Sequence, residues 1–434
     1  MASIPKAETV LPFEQAHKLV LDYCGALKPI GSEEVPILQA LGRVVAEPIS
    51  ADRDFPPFPR ATRDGYALRS SDLKALPTRL QVIGQAKAGA GYVGGVSEGQ
   101  AVEIMTGAPV PWGADAVVMV EHTTMVEHMT NDDSPSDGNA IQGGFVSVHR
   151  PGSPGENVVP PGSEARAGQQ MIPAGTRMGF AQVAVASAAG KTTLQVYKKP
   201  RVSILATGDE LVDAAAIPSP HQIRNSNSYS LASQVMLSGG EPLPMPVTPD
   251  DLDKLRTAID EGLLADMLLL TGGVSMGKFD LVEQALTELG ARFFFTGVLI
   301  QPGKPVVFGE IHDRRRGKTI PFFGLPGNPV STMVTFELFA GTVLEALSGS
   351  APARLPSAKA RLAKEIKTKT GLARFLPASL TGDLLDAQVE LVPWQGSGDI
   401  MASAQANCYI VVPPDREFIG AGEMVSILMR TCPR

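Results

Sequence analysis

The sequence predicts a multidomain chain, α/β at its centre and all-β on either side. Three observations carry that reading. At 434 residues the chain is too long for one ordinary core, and two to four domains are expected. Between about 199 and 348, short apolar runs alternate with apolar residues at helical spacing. On both sides the texture changes to short strands broken by turn formers, in a chain holding 44 Gly and 36 Pro.

In chain order, Phe13, Ala16, Val20 and Cys24 fall on one face of a first helix. Residues 35–49 read as a short helix running into a strand, and Phe55 to Pro59 as a Pro-rich break between domains. Leu80–Gly84 and Ala116–Val120 are strands of a small all-β module over 56–149, with a polar, exposed loop at 129–144. Gly-Pro clusters at 151–163 lead to a helix near Phe180–Ala189. Arg201–Ala206 opens the αβ region as a buried strand. A helix follows, ending at Gly239-Gly240, and Leu252, Leu255, Ile259 and Leu263 then mark an amphipathic helix. Met267–Leu270 is the central strand, and Leu281, Val282, Ala285, Leu286 and Leu289 form the helix after it. Strands at Pro305–Phe308 and Pro321–Phe323 precede a long helix from Pro329 to about Leu347. Such alternation implies a largely parallel sheet with helices on both faces. Beyond Ser348-Gly349-Ser350 short strands return, among them Cys408–Val412 and Val425–Leu428.

Composition removes several function classes. A net charge of -7 argues against a nucleic-acid surface. No apolar run approaches the ~18 residues of a membrane span, and the first residues contain no secretory apolar segment. The three cysteines, Cys24, Cys408 and Cys432, are far apart and imply no disulfide framework, which fits a reducing cytoplasm. The six histidines never pair at metal-ligand spacing, so any metal should be a hard ion bound through oxygen.

The chemistry lies in turns. Thr271-Gly272-Gly273-Val274-Ser275 follows the central strand and precedes a helix, which sets backbone N–H groups and two hydroxyls before an anion, with Asp280 placed to hold a metal. Gly324-Leu325-Pro326-Gly327-Asn328-Pro329-Val330-Ser331 puts two glycines before a helix start, Asn328 as N-cap and Pro329 at its first position. Thr207-Gly208-Asp209-Glu210 brings acids to the carboxyl end of the first strand, where ligands of open α/β sheets bind. Ile223-Arg224-Asn225-Ser226-Asn227-Ser228 offers caps or ligand contacts, and Gln301-Pro302-Gly303-Lys304-Pro305 a cation on a rigid turn. Together they suit a nucleotide-like or pyrophosphate ligand with Mg²⁺. In the β module, Arg63-Asp64-Gly65-Tyr66-Ala67 and Met105-Thr106-Gly107-Ala108-Pro109 read from composition as ordinary turns.

In this order, T-R-D-G-Y-A, M-T-G-A-P-V-P-W-G-A-D, T-G-D-E-L, I-R-N-S-N-S, T-G-G-V-S-M-G-K-F-D, Q-P-G-K-P and G-L-P-G-N-P-V-S resemble the molybdopterin molybdenumtransferase family, which includes the gephyrin E domain. The resemblance runs from about residue 11 to 430. It implies an elongated N-terminal domain from two segments (10–55 and 150–198) and an inserted β lid (56–149). A three-layer αβα molybdopterin-binding domain (199–348) and a C-terminal β barrel (349–434) follow. It implies a homodimer, with the active site in a cleft between the αβ domain of one subunit and parts of the other. The implied reaction takes adenylylated molybdopterin and molybdate, hydrolyses the adenylate with Mg²⁺, and releases molybdenum cofactor and AMP. Pterin sulfurs ligate the molybdenum, so the protein supplies placement and electrostatics and no nucleophile.

By matching position, the resemblance makes Asp64, Thr106, Glu210 and Asp280 catalytic, and Glu210, Asp250 and Asp280 the metal acids. It assigns substrate binding to Arg63, Gly107, Asn225, Ser226, Thr271, Gly272, Gly273, Ser275, Lys304, Pro326, Gly327, Asn328, Ser331 and Ser397. The sequence departs from the family pattern at four positions. Arg63 replaces the usual Met, Glu164 replaces an Asp, and Gly297 and Gln301 stand where the family often has lysines, leaving Lys304 alone. Arg63 is expected to restore positive charge at the oxyanion site. The two β modules argue against a molybdopterin adenylyltransferase, and the lack of a second αβ domain against a gephyrin-like scaffold. Tungstate in place of molybdate, or a paralogue's role, stays open.

Overall fold

The computed structural model describes residues 9–126, 144–273, 281–351, 355–383 and 385–430. By contacts the chain divides into two compact units: Met1–Glu47, Gly175–Phe180 and Thr193–Arg434 form one, Pro48–Ala174 and Ala181–Thr192 the other.

In the first unit, helix α1 (Phe13–Ala26) buries the predicted face Ala16, Val20 and Cys24. The αβ region is a six-stranded sheet: β1 (Arg201–Ala206), β2 (Glu241–Pro244), β3 (Met267–Thr271), β4 (Arg292–Phe295), β5 (Val307–Asp313) and β6 (Lys318–Leu325), in the order β2-β1-β3-β6-β5-β4. The first four in that order are parallel, and β5 runs antiparallel to both its neighbours. Every residue of β3 is buried, which explains the absence of alternation in Met-Leu-Leu-Leu-Thr: both faces of this strand are covered. One face packs against α2 (Asn227–Leu237), α1 and the helix after β6, through Val202, Ile204, Met267, Leu269, Leu231 and Val334. The other packs against α3 (Leu252–Gly262) and α4 (Leu281–Glu288), through Leu205, Leu268, Leu270, Leu255, Ile259 and Val282. This is a three-layer αβα arrangement. Asp251 starts α3 by accepting the Lys254 N–H at 3.0 Å.

The helix after β6 comprises α5 (Pro329–Thr335), a π turn (Phe336–Ala340) and α6 (Gly341–Leu347). Among the described residues Pro329–Leu347 is long and apolar enough to cross a membrane, a length the reading of uninterrupted apolar runs missed because Ser331, Thr332, Thr335 and Glu337 break the run. Most of it is buried in the protein core: 83% of its apolar window is covered.

The C-terminal region is a closed five-strand barrel. Strands β7 (Ser357–Leu362), β8 (Ala373–Gly382), β9 (Ala387–Leu391), β10 (Cys408–Val412) and β11 (Met424–Met429) pair in the order β8-β9-β7-β11-β10, and β10 returns to β8. Closure leaves no free edge within the ring. Ile300–Gln301 adds to it as a parallel outlier beside Ala373 and Arg374. Of the short helix running into a strand expected over 35–49, the helix is a single 3₁₀ turn, Ile37–Ala40, because Val35 and Pro36 belong to strand Ser32–Pro36 paired with Thr193–Tyr197, and Ile49 does enter a strand, Ile49–Ser50.

The second unit holds a six-stranded mixed sheet. Its order is Ala116–Met119, Gly65–Leu68, Gln100–Ile104, Thr78–Ala86, Phe145–Val148 and Thr123–Val126. Tyr66, Leu68, Leu80, Val82, Val118, Val146 and Val148 fill one side of it.

Candidate active site

The chain leaves β1 for β2 on one side, then crosses back to β3 on the other. Such a reversal opens a crevice at the carboxyl ends of the two central strands. Register makes the three relevant ends level: Ala206 is opposite Thr271, and Thr271 opposite Leu325. The turns that follow β1, β3 and β6 therefore converge. They line a cleft of about 400 Å³, together with Glu210, Arg224, Asn225, Ser226, Asn227 and Asp250.

Close approach of these turns requires glycine. Gly272 has φ +89°, and a Cβ there would lie 2.2 Å from the Thr207 carbonyl oxygen. Gly327 lies against it, since a Cβ on Gly327 would meet the Gly272 Cα at 3.4 Å. Bare backbone on two adjacent turns is the geometry that receives an anion.

The acids come from two other turns. Thr207 Oγ1 donates to Asp250 Oδ1 at 2.7 Å, which holds the Asp250 carboxylate, and the Asp250 N–H donates to Asp209 Oδ1 at 3.2 Å, which fixes the backbone of its turn. Glu210 is anchored by its backbone, whose carbonyl accepts the Ile223 N–H at 2.8 Å. That bond, with the parallel pairing of Leu211–Val212 and Ile223–Arg224, carries the I-R-N-S-N-S segment to the cleft. Arg224 is the cation among the cleft-lining residues, its Nε donating to the Ala216 carbonyl at 3.0 Å. Asn225 is buried; its Nδ2 donates to Ser228 Oγ at 2.8 Å and its Oδ1 accepts the Ser228 N–H at 3.1 Å. It caps α2 from within.

Of the residues singled out from sequence, Glu210, Asn225, Ser226, Asp250, Thr271, Gly272, Gly273, Pro326, Gly327 and Asn328 meet in this cleft. Ser275 and Asp280 lie outside the described residues. Three more in the same unit do not line it. Lys304 is exposed while its neighbour Pro305 lines the wall. Ser331 is buried within α5, where its carbonyl accepts the Thr335 hydroxyl at 2.7 Å. Ser397 stands behind the wall, its carbonyl accepting the Val330 N–H at 3.0 Å. Asn328 occupies the N-cap position of α5 but makes no side-chain cap bond there, in contrast to the expectation; the Ser397 carbonyl takes the Val330 amide instead.

Sequence reasoning passed over Arg374, and named Thr207, Arg224 and Asn227 only as parts of a motif. Arg374 is buried. Its Nε donates to Gln301 Oε1 at 2.8 Å and its Nη1 to the Leu372 carbonyl at 3.1 Å. Burial pulls its guanidinium below the ordinary value. No signal short of the strand pairing of Gln301 with Arg374 joins them. At the other departure, Gly297 packs against Val10.

Asp64, Thr106, Gly107 and Arg63 belong to the second unit. Thr106 donates both its N–H and its hydroxyl to Asp64 Oδ1, each at 2.6 Å. The hydroxyl, then the amide, hold the Asp64 carboxyl below the usual carboxylate range. Gly107, at φ +84°, donates its N–H to the Ala61 carbonyl at 2.8 Å. Arg63 is exposed, and Glu164 pairs with Arg60 at 3.1 Å.

Comparison with known proteins decides the family. The chain matches the MoeA N-terminal region (domain I and II) over residues 11–190, a probable molybdopterin binding domain over 203–346, and the MoeA C-terminal region (domain IV) over 359–429. It is 33% identical over 429 residues to the molybdopterin molybdenumtransferase of Bacillus subtilis, covering 97% of this chain and 94% of that one. The chain belongs to the molybdopterin molybdenumtransferase family. A Nostoc molybdopterin molybdenumtransferase is likewise 33% identical, over 92% of this chain and 88% of its own. A solved Pyrococcus molybdopterin biosynthesis MoeA protein aligns with TM-score 0.69 and 32% identity, over 97% of this chain and 99% of that one. The cleft lies within the segment matched by the molybdopterin-binding domain of the family.

Proposed function

We propose that this family member is a molybdopterin molybdenumtransferase: it inserts molybdate into adenylylated molybdopterin, with Mg²⁺-dependent hydrolysis of the adenylate, and releases molybdenum cofactor and AMP. The observation that carries the reading is the switch-point cleft, where two glycine turns face two carboxylates. A phosphoanhydride needs that combination, N–H donors for its oxygens and acids for its counter-cation.

The donor set fits Mg²⁺. Glu210 and Asp250 are hard oxygen donors lining one cleft, and Asp250 keeps Oδ2 free of the Thr207 bond. Mg²⁺ keeps several waters and takes further ligands from substrate phosphates, so two protein carboxylates would be enough to hold it. Bound there, Mg²⁺ would neutralise charge on the anhydride. Thr207 orients Asp250, and the Gly272 and Gly327 turns bind and align phosphate. Asp280 is proposed as a third acid of this set. Asp64, fixed by Thr106 and held ionised, is proposed as a further acid of the reaction. Molybdate, as a substrate, needs a cation; Lys304 and Arg374, the latter buried in β8 with its Nε on Gln301 Oε1, are the proposed cations of the first unit, and Arg63 the one carried by the second.

We also propose a homodimer. Helix Phe180–Ala188 is almost wholly apolar, and Phe180 is 87% exposed; a second copy would cover it. The free cysteines Cys24 and Cys408 are buried and unpaired, in keeping with a reducing cytoplasm. The four-part division at 55, 149, 198 and 348 is our reading of the domain boundaries.

The test is AMP release from adenylylated molybdopterin by purified protein with Mg²⁺, with and without molybdate, followed by reconstitution of a cofactor-free molybdoenzyme. Molybdate-dependent release with reconstitution is expected. A bound but intact adenylate would overturn the reading. In the same assay Arg374→Ala should raise the molybdate requirement roughly tenfold or more, the loss expected of a buried charge-assisted contact. Arg63→Ala measures how far that side chain compensates, and an unchanged requirement removes it from the oxyanion site.

A further inference from the structure

Asn227 is the first residue of α2, and its side chain crosses the mouth of the cleft floor. Its Nδ2 donates to Thr271 Oγ1 at 2.9 Å and to the Gly327 carbonyl at 2.7 Å. One amide nitrogen thus ties the turn after β3 to the turn after β6. Thr271 Oγ1 itself donates to the Pro326 carbonyl at a longer 3.4 Å. Both turns are built for close approach, with Gly272 and Gly327 nearly in contact.

We propose that Asn227 is a positioning residue that sets the spacing of the two anion-receiving turns, and thereby the preference of the cleft for a ligand carrying two linked phosphoryl groups over one carrying a single phosphate. The inference rests on the functional reading above. Two anionic groups joined by an anhydride have a fixed separation, so a ligand that engages both turns is sensitive to their distance. A monophosphate uses one turn and is not. An amide suits the task because its NH₂ has two hydrogens for two acceptors at once, which neither a hydroxyl nor a carboxylate can supply. Asn227 touches no reacting atom in this account; it acts through Thr271 and Gly327.

The experiment measures equilibrium binding of adenylylated molybdopterin, metal-free molybdopterin and AMP to the full chain. It compares the native protein with Asn227→Leu, which is near in size and lacks the amide, and with Asn227→Ala. Loss of roughly tenfold or more is expected for the adenylylated ligand, against less than about threefold for either monophosphate, the scale of one or two hydrogen bonds. Thr271→Val, which removes one anchor and leaves Asn227 in place, serves where the Asn227 variants do not fold. It should give a smaller loss with the same selectivity. Equal losses for all three ligands mean a merely structural role and overturn the proposal, as does no loss at all. If the native protein binds the adenylylated ligand and the variants keep its preference, only the Asn227 inference falls. If the native protein binds none of the three, the functional reading falls and takes this one with it.

Discussion

Asp64 and Thr106 are 42 residues apart in sequence and share one carboxylate oxygen. Their turns were legible as D-G and G-A-P, but the bond between them was not, because it depends on Gly65–Leu68 pairing antiparallel with Gln100–Ile104. Both donors favour the ionised carboxylate, so the folded-state pKa lies below the unfolded one. The stability it contributes is present above the unfolded value and is lost as pH falls through the folded one. Thr106→Val removes the larger of the two causes and should move the Asp64 titration upward toward the ordinary value, read by the carboxyl resonance in an NMR pH series. Gly272 makes a second case at this scale. Its glycine was predicted from the T-G-G turn, yet the reason is tertiary: the Thr207 carbonyl occupies the space of a Cβ. With φ at +89° as well, Gly272→Ala should cost about 2–4 kcal/mol, seen as a lower urea midpoint at unchanged slope.

The helix from Pro329 to Leu347 was readable as one element, since its apolar residues persist and Pro329 fixes its start. Its π turn was not, because no residue type announces it. Glu337 lies in that turn, with Gln234 Nε2 at 3.4 Å and Arg430 Nε at 3.8 Å. Burial pushes its carboxyl up to about 7, against the opposing pull of Arg430 and Gln234. The sign differs from Asp64. Between the ordinary 4.5 and about 7 the folded state holds a proton that the unfolded state has released, so this group's stabilisation is present below 4.5 and lost as pH rises to about 7. Urea melts at intervals across that window should show the decline in the native protein, and Glu337→Gln should flatten it. A slope unchanged in the variant would assign the pH dependence elsewhere.

At the scale of the molecule, the parallel order of the αβ sheet and the all-β character of the ends followed from texture alone. Closure of the barrel did not, because it depends on β10 pairing with both β8 and β11, a choice made by register and not by composition. Assembly is tested at this scale too. Phe180→Asp puts a charge on the apolar helix and should shift the protein from dimer to monomer in sedimentation velocity. A dimer that persists unchanged would locate the contact on another surface. The bond from the Val330 amide to the Ser397 carbonyl, with the pairing of Ile300–Gln301 against Ala373–Arg374, has a practical corollary. A fragment cut after residue 348 would retain every strand of the αβ sheet, yet expose an unpaired amide beside the cleft and release the Gln301–Pro305 loop from its strand partner. Grafting or expressing the central segment alone would preserve its topology while altering the wall against which its ligand rests.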